Sequence, residues 1–193
     1  GAGVQSSTLA LMCAHGEIEP PEVAIFSDTG WEPQSVYEWL DWLEPQLPFP
    51  VHRVSAGNLR KEVVSMAEGR ANFLRIPAFT RDENGKPGIL RRQCTREYKI
   101  TPVTREVRRL LGLEHGQRMP RGYSATALIG ISADEPERPK PAREKWLIKE
   151  YPLLDRRMQR GHCIKWMADN GYPRPPRSAC IGCPFHSDKE WRR

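Results

Sequence analysis

Apolar positions in this chain fall into two spacings, one helical and one extended, and the two alternate. The run Leu9, Ala10, Leu11, Met12 predicts a helix from about Ser7 to His15, with Cys13 as core filler and Gly16 as its stop. Val23 to Ser27 reads as a fully buried parallel strand, bounded by Pro20-Pro21 before it and Asp28-Thr29-Gly30 after it. Pro33 opens a second helix whose buried stripe is Val36, Leu40 and Leu43, ending near Pro45. Val51 to Val54 is a further strand. A helix carrying Leu59, Val63 and Met66 then runs up to Gly69. Between Arg70 and Gln93 the periodicity fails, and residues 82–88 concentrate turn signals within a long loop.

Order returns with Thr101 and Pro102, which open a helix that turns Val103, Val107 and Leu110 inward and closes at Gly112. Residues 114–124 read as exposed loop, and Thr126 to Ser132 as a strong buried strand. Tyr151 to Asp155 is expected to be extended. A short helix from about Gln159 to Asn170 carries Cys163, and the tail from Pro173 to Pro184 is rigid and non-helical. The alternation of strand and helix places the chain in the α/β class, as a Rossmann-like three-layer α/β/α arrangement around a mostly parallel sheet. In such sheets ligands bind at the carboxyl ends of strands, where Asp28-Thr29-Gly30 and Ala133-Asp134-Glu135 fall.

The first eight residues carry the earliest chemistry. Gly1, Ala2 and Gly3 are small enough for backbone to approach a ligand closely, and Val4, Gln5, Ser6, Ser7 and Thr8 lead into the first helix. Helix-opening amides lack internal partners and the macrodipole favours negative charge, so this stretch is a candidate phosphate cradle. The bland alternative is an ordinary helix cap. A strand is expected before such a loop, which places it ahead of Gly1 and outside the sequence.

Composition narrows the picture. The 193 residues suffice for one domain, or one with a small appendage; 38% are hydrophobic and no run approaches a membrane span. Lys plus Arg total 30 against 24 acidic residues, for a net charge of +6. With arginine predominant, a phosphate-bearing partner, nucleotide or nucleic acid, fits this balance, as does a merely basic surface. Five cysteines without a secretory signal point to a reduced, cytoplasmic setting and to metal or catalytic use rather than disulfides.

Cys180 and Cys183 form a C-x-x-C turn with Gly182 inside it and Pro184 after it. With Cys163 and Cys94 they make a candidate tetrathiolate site for a [4Fe-4S] cluster or for zinc, the latter with His162 or His186 as an alternative fourth ligand. Trp31, Trp39 and Trp42 read as packing rather than base-stacking residues.

Taken together these residues resemble a known superfamily. The Gly1–Ser7 loop is similar to the pyrophosphate loop of the PP-loop ATP pyrophosphatases and of the related phosphoadenylyl-sulfate (PAPS) reductases. Asp28-Thr29-Gly30 resembles the reductases' Asp-Thr-Gly turn. Arg92-Gln93-Cys94-Thr95 with Lys99 to Pro102 resembles a segment of adenylyl-sulfate (APS) reductases and of the adenylating subunit of DNA phosphorothioation systems. Gly130-Ile131 with Asp134-Glu135 and Arg138 resembles the segment that supplies a phosphate-binding arginine, and Cys180 to Cys183 the terminal cluster motif.

The resemblance implies a nucleotide-binding domain over residues 1–150 and a cysteine-containing cluster segment over 151–193. It implies that Gly1, Ala2, Gly3, Val4, Ser6, Ser7, Thr8, Asp28, Thr29, Gly30, Gly130 and Asp134 bind the nucleotide. Gln5, Ser6, Arg92, Lys99 and Arg138 would be catalytic, and Cys94, Cys163, Cys180 and Cys183 would favour a [4Fe-4S] cluster over zinc. Two departures stand out. Gln5 replaces the aspartate that in ATP-cleaving members could help hold magnesium, and Thr95 replaces the second of a cysteine pair. The implied activity is ATP-dependent adenylation coupled to sulfur transfer onto a nucleic acid such as DNA or tRNA, with a cysteine desulfurase or thioredoxin-like donor. The alternatives are reduction of APS or PAPS, or a non-catalytic binding module with a structural metal.

Overall fold

A computed structural model describes residues 1–70, 76–90 and 93–192. In chain order its elements are α1 (Val4–Ala14), β1 (Ala24–Asp28), α2 (Gln34–Leu43), β2 (Val51–Ser55), α3 (Leu59–Ala67), β3 (Phe79–Arg81), β4 (Pro87–Ile89), α4 (Thr101–Leu110), β5 (Ala125–Leu128), β6 (Leu147–Glu150), α5 (Pro152–Asp155), α6 (Arg160–Asp169) and α7 (Asp188–Trp191). Strands pair as β1 with β2, β3 with β4 antiparallel, and β5 with β6 parallel. Among the described residues no helix is long and apolar enough to cross a membrane.

Packing divides the chain into two compact units. The first takes Gly1–Phe26, Gln34–His52 and Val107–Ser178, and the second Ser27–Pro33, Arg53–Glu106 and Ala179–Arg193.

The first unit has two apolar clusters. In one, Leu11 of α1 meets Val36, Trp39, Leu40 and Leu43 of α2 and Met167 of α6. The expected α2 stripe is therefore the observed one, with Trp39 added to it as a packing residue. In the other, Val4, Leu9, Met12 and Cys13 of α1 pack with Phe49, Leu153 and Cys163. Helix α6 matches its expected span to within a residue at each end, because Gln159 and His162 close a capping box at its start.

Two segments of the first unit differ from expectation. Residues 152–155 form α5 rather than extended chain: Pro152 sits at the first helical position with its φ preset, and Leu153 is fully buried beneath it. The strand expected over 126–132 ends at Leu128 and is half-buried, with Thr126 exposed, since among the described residues β5 pairs with β6 alone, a partner the sequence pattern did not reveal.

The second unit is built on a smaller cluster of Leu59, Tyr98 and Cys180, with Trp31, Val63, Cys94 and Cys183 against it. The turn-rich segment at 82–88 is the tip of the exposed β3–β4 hairpin. Asp82 Oδ1 accepts from the amides of Asn84 and Lys86, and Gly85 takes φ +76°. A six-residue π-helix, Thr95–Ile100, leads directly into α4 and buries Tyr98. Leu110, expected to face inward on α4, is 43% exposed. Beyond the non-helical stretch 173–184, α7 is capped by Ser187, whose amide donates to Glu190 Oε2 at 2.8 Å.

Burial has a titratable consequence. Desolvation pushes the thiols of Cys13, Cys163 and Cys180 from 9.0 up to about 11, with the Glu32 carboxylate adding to the shift at Cys180. The folded chain thus keeps protons that the unfolded chain releases. This contribution to stability is fully present below pH 9.0 and is lost as pH rises through about 11. Urea midpoints are expected to fall across that window, and less steeply in Cys163→Ala; identical slopes for variant and wild type would contradict the assignment.

Candidate functional site

The loop at the start of α1 belongs to the first unit. Gly3 is the extended N-cap residue of α1, no side chain caps the helix, and its first turn carries no acidic residue. The first backbone bond back to the loop is Ser7 N–H to the Gly3 carbonyl at 2.9 Å. The amides of Val4, Gln5 and Ser6 therefore have no hydrogen-bond partner among the described residues, which leaves the positive end of an 11-residue helix open. Ala2 N–H reaches Ser178 Oγ at 3.4 Å, and Gly3 lies beside the same serine, so residue 178 fixes the loop from the far end of the unit's sequence.

Helical geometry splits the loop's side chains between two faces. Val4, Ser7, Thr8 and Leu11 are spaced i, i+3, i+4, i+7 and share the buried face. Ser7 is 1% exposed and accepts from Trp39 Nε1 at 2.9 Å; Thr8 is fully buried and donates to the Val4 carbonyl at 2.9 Å. Both hydroxyls thus serve the core, where the sequence had placed them as ligand donors. Gln5 and Ser6 are half-buried on another face.

The backbone of Gly130, just after β5, passes so close to this turn that a Cβ there would lie 2.9 Å from Ser6 Cα and N. Past it, Ser132, Asp134, Glu135 and Arg138 supply a polar network. The Gln5 side-chain amide donates to Ser132 Oγ and to Glu135 Oε2, each at 3.2 Å, while its oxygen accepts from Arg160 Nη1 at 2.9 Å. Arg138 Nη1 lies 2.5 Å from Glu135 Oε2. Asp134 Oδ1 accepts the backbone N–H of Arg160 at 3.0 Å. Its carboxyl is held below the usual range, first by a hydrogen bond from Ser132 and then by Arg160.

Of the residues expected at the site, Gly1, Ala2, Gly3, Val4, Gln5, Ser6, Gly130, Asp134 and Arg138 belong to this one assembly. Ser132, Glu135, Arg160 and Ser178 complete it. Nothing local in the sequence distinguishes Arg160 from Arg156 or Arg157.

The second unit holds the other expected residues. Gly30 N–H bonds Asp28 Oδ1 at 2.7 Å, and Gly30 adopts φ +68° with Asn58 2.9 Å from where its Cβ would be, so only glycine fits that turn. Thr29 is fully buried: its hydroxyl lies 3.4 Å from Glu32 Oε1 and 3.1 Å from Cys180 Sγ. Lys99 Nζ stands 3.8 Å from the buried Glu32 carboxylate. Arg92 lies outside the described residues.

Cys94, Cys180 and Cys183 share the second unit's apolar cluster, and Cys163 is a fully buried member of the first unit's. All the cysteines are free thiols. The Thr95 hydroxyl, next to Cys94, is buried without a hydrogen-bond partner among the described residues. Donor chemistry in the second unit suits a metal, yet among the described residues no three His, Cys, Asp or Glu side chains are arranged to hold one. His162 Nδ1 accepts the Gln159 amide at the start of α6.

No protein-family model matches the chain, and no curated protein matches it in sequence. Among solved structures, the chain is similar to the phosphate complex of phosphoadenylyl-sulfate (PAPS) reductase from Candida auris. The TM-score is 0.55 at 13% identity, over 90% of this chain and 71% of that one. The likeness shows a shared fold, of the Rossmann-like α/β class that the alternating elements call for.

Proposed function

We propose that the α1 loop binds the phosphate groups of an adenine sulfonucleotide and that the protein is a sulfonucleotide reductase-like enzyme. The observation that carries this reading is the open turn of α1, with the Val4, Gln5 and Ser6 amides unpartnered among the described residues and the Gly130 backbone set against them. The shared fold with a PAPS reductase supports it. An anion placed there meets three N–H donors and the helix dipole, while Arg138 supplies fixed positive charge within the same network.

The chemistry follows from the substrate. A thiolate from a dithiol donor attacks the sulfonate sulfur, the sulfur–oxygen bond to the nucleotide phosphate breaks, and the nucleotide leaves with the bonding pair. The donor's second thiol then displaces sulfite, so two thiols are oxidised to a disulfide as sulfur is reduced by two electrons. Oxyanion charge on the departing phosphate is what the loop amides stabilise. Metal binding by Cys94, Cys180 and Cys183 is a separate claim, read by the iron, sulfide and zinc content of anaerobically purified protein; no step here depends on it.

The second reading, adenylation by ATP with sulfur transfer to nucleic acid, asks for magnesium at the loop. Gln5 offers poor support for that, because its oxygen faces a guanidinium and its nitrogen a carboxylate. Purified protein with a dithiol donor is expected to release sulfite from PAPS or APS, and to bind either more tightly than it binds adenosine. Pyrophosphate release from ATP without sulfite from either sulfonucleotide would replace this reading with the second.

A further inference from the structure

We propose that Arg160, whose guanidinium is held by the Gln5 side-chain oxygen, is a direct anion-gripping residue of the α1 loop. The proposal rests on the phosphate-binding reading above and adds to it the group that closes on the ligand. Two arginines reach the network around Gln5, and their partners differ. Arg138 is matched by the Glu135 carboxylate, a charged partner it gives up at a cost. Of the five N–H donors of Arg160, the one with a hydrogen bond among the described residues bonds the neutral Gln5 Oε1; the Asp134 carboxylate is within Coulombic reach, but its hydrogen bond comes from the Arg160 main chain and not from the guanidinium. An incoming phosphate or sulfate offers that fork a charged, bidentate partner in place of half an amide.

Gln5 is suited to this holding role by its two-sided amide. The Nε2 group must face Glu135 and Ser132, and the oxygen must face Arg160, because the flipped amide would set N–H against a guanidinium and oxygen against a carboxylate. The main chain of Arg160 is anchored independently, its N–H bonded to Asp134 Oδ1 at 3.0 Å, so the first residue of α6 stays in place when its side chain turns. Gln5 belongs to the α1 turn whose amides are open, which sets the guanidinium beside the proposed ligand position. Arg160 therefore supplies, from the protein itself, the cationic contact that a divalent metal would otherwise bring to the phosphates, and it makes ligand binding independent of magnesium.

The test is a titration of the full chain with PAPS and, separately, with inorganic phosphate, each with and without magnesium, for wild type, Arg160→Ala, Arg160→Lys and Arg174→Ala. Arg174 is an exposed arginine of the same unit. Arg160→Ala is expected to weaken PAPS binding by about 10- to 100-fold, the range for a charge-assisted hydrogen bond. Arg160→Lys is expected to recover part of the loss, since it keeps the charge and loses the fork. Arg174→Ala should bind as the wild type does, and magnesium should change none of the affinities.

Thermal melts read the fold independently. If Arg160→Ala melts out before it can be titrated, Arg160→Lys alone decides: wild-type affinity in the lysine variant overturns the proposal. Undiminished PAPS binding by a folded Arg160→Ala overturns it while leaving the phosphate-binding reading intact. An equal loss in Arg174→Ala overturns it too, by reducing the effect to general charge. Failure of the wild type to bind either PAPS or phosphate removes both.

Discussion

Gly130→Ala is expected to lower stability by about 1–3 kcal/mol, the cost of overpacking, and to weaken phosphate binding at the loop by tenfold or more. Its Cβ would lie 2.9 Å from Ser6 Cα and N and 3.1 Å from the Gln5 carbonyl carbon. These are backbone atoms of the α1 turn, so no rotamer relieves the clash and the turn itself must move. Movement there displaces the Val4, Gln5 and Ser6 amides from the geometry on which the proposed phosphate binding rests. A chain of this length responds by about 2–4 °C in Tm per kcal/mol. Thermal melting and PAPS titration of the same preparation read both effects. A variant with wild-type melting and wild-type affinity would show that the loop does not depend on this approach.

Gly182→Ala is expected to open the C-x-x-C turn. A Cβ on Gly182 would lie 2.1 Å from Trp31 Cη2 and 2.4 Å from Cζ2, inside the indole itself. The Trp31 main chain is pinned to the same turn, its carbonyl accepting the Ile181 N–H at 2.8 Å, so the ring has to swing away rather than the two segments separate smoothly. That removes the indole from the cluster of Leu59, Tyr98 and Cys180 at a cost of about 2 kcal/mol or more. The expected signature is a red-shifted tryptophan emission together with faster alkylation of Cys180, which is buried in the wild type. Unchanged alkylation would show that Trp31 does not seal this turn.

The sequence reads Gly182 as part of a turn and Gly130 as part of a strand, and neither reading contains the reason that operates. Neither Gly130 nor Gly182 takes a positive φ. Each is required because another segment presses on it, Ser6 from 124 residues upstream and Trp31 from 151 residues upstream. The same distinction separates Ser6 from Ser7 and Thr8. All three look like loop donors in a linear motif, and only the helical period sends the last two to the Val4 face and into the core.

The sequence by itself determined the elements whose cause is local. It placed α1, α2, α3 and α6, because their apolar positions repeat at helical spacing and their ends carry Gly16, Pro33, Gly69 and Gln159. It also placed the Asp28-Thr29-Gly30 turn, because an aspartate two residues before a glycine bonds its amide, and it singled out Gly1 to Thr8 as the candidate phosphate loop that the proposed function takes up. Only the tertiary structure decided which charges meet there. That Gln5 holds Arg160 on its oxygen and Glu135 on its nitrogen depends on contacts between residues 155 and 130 positions apart, whereas the Arg138–Glu135 pair is local, three residues along the chain. Hydrogen bonds at such separations leave no period or spacing in the chain; they exist only because packing of α1 against α6 brings their ends together.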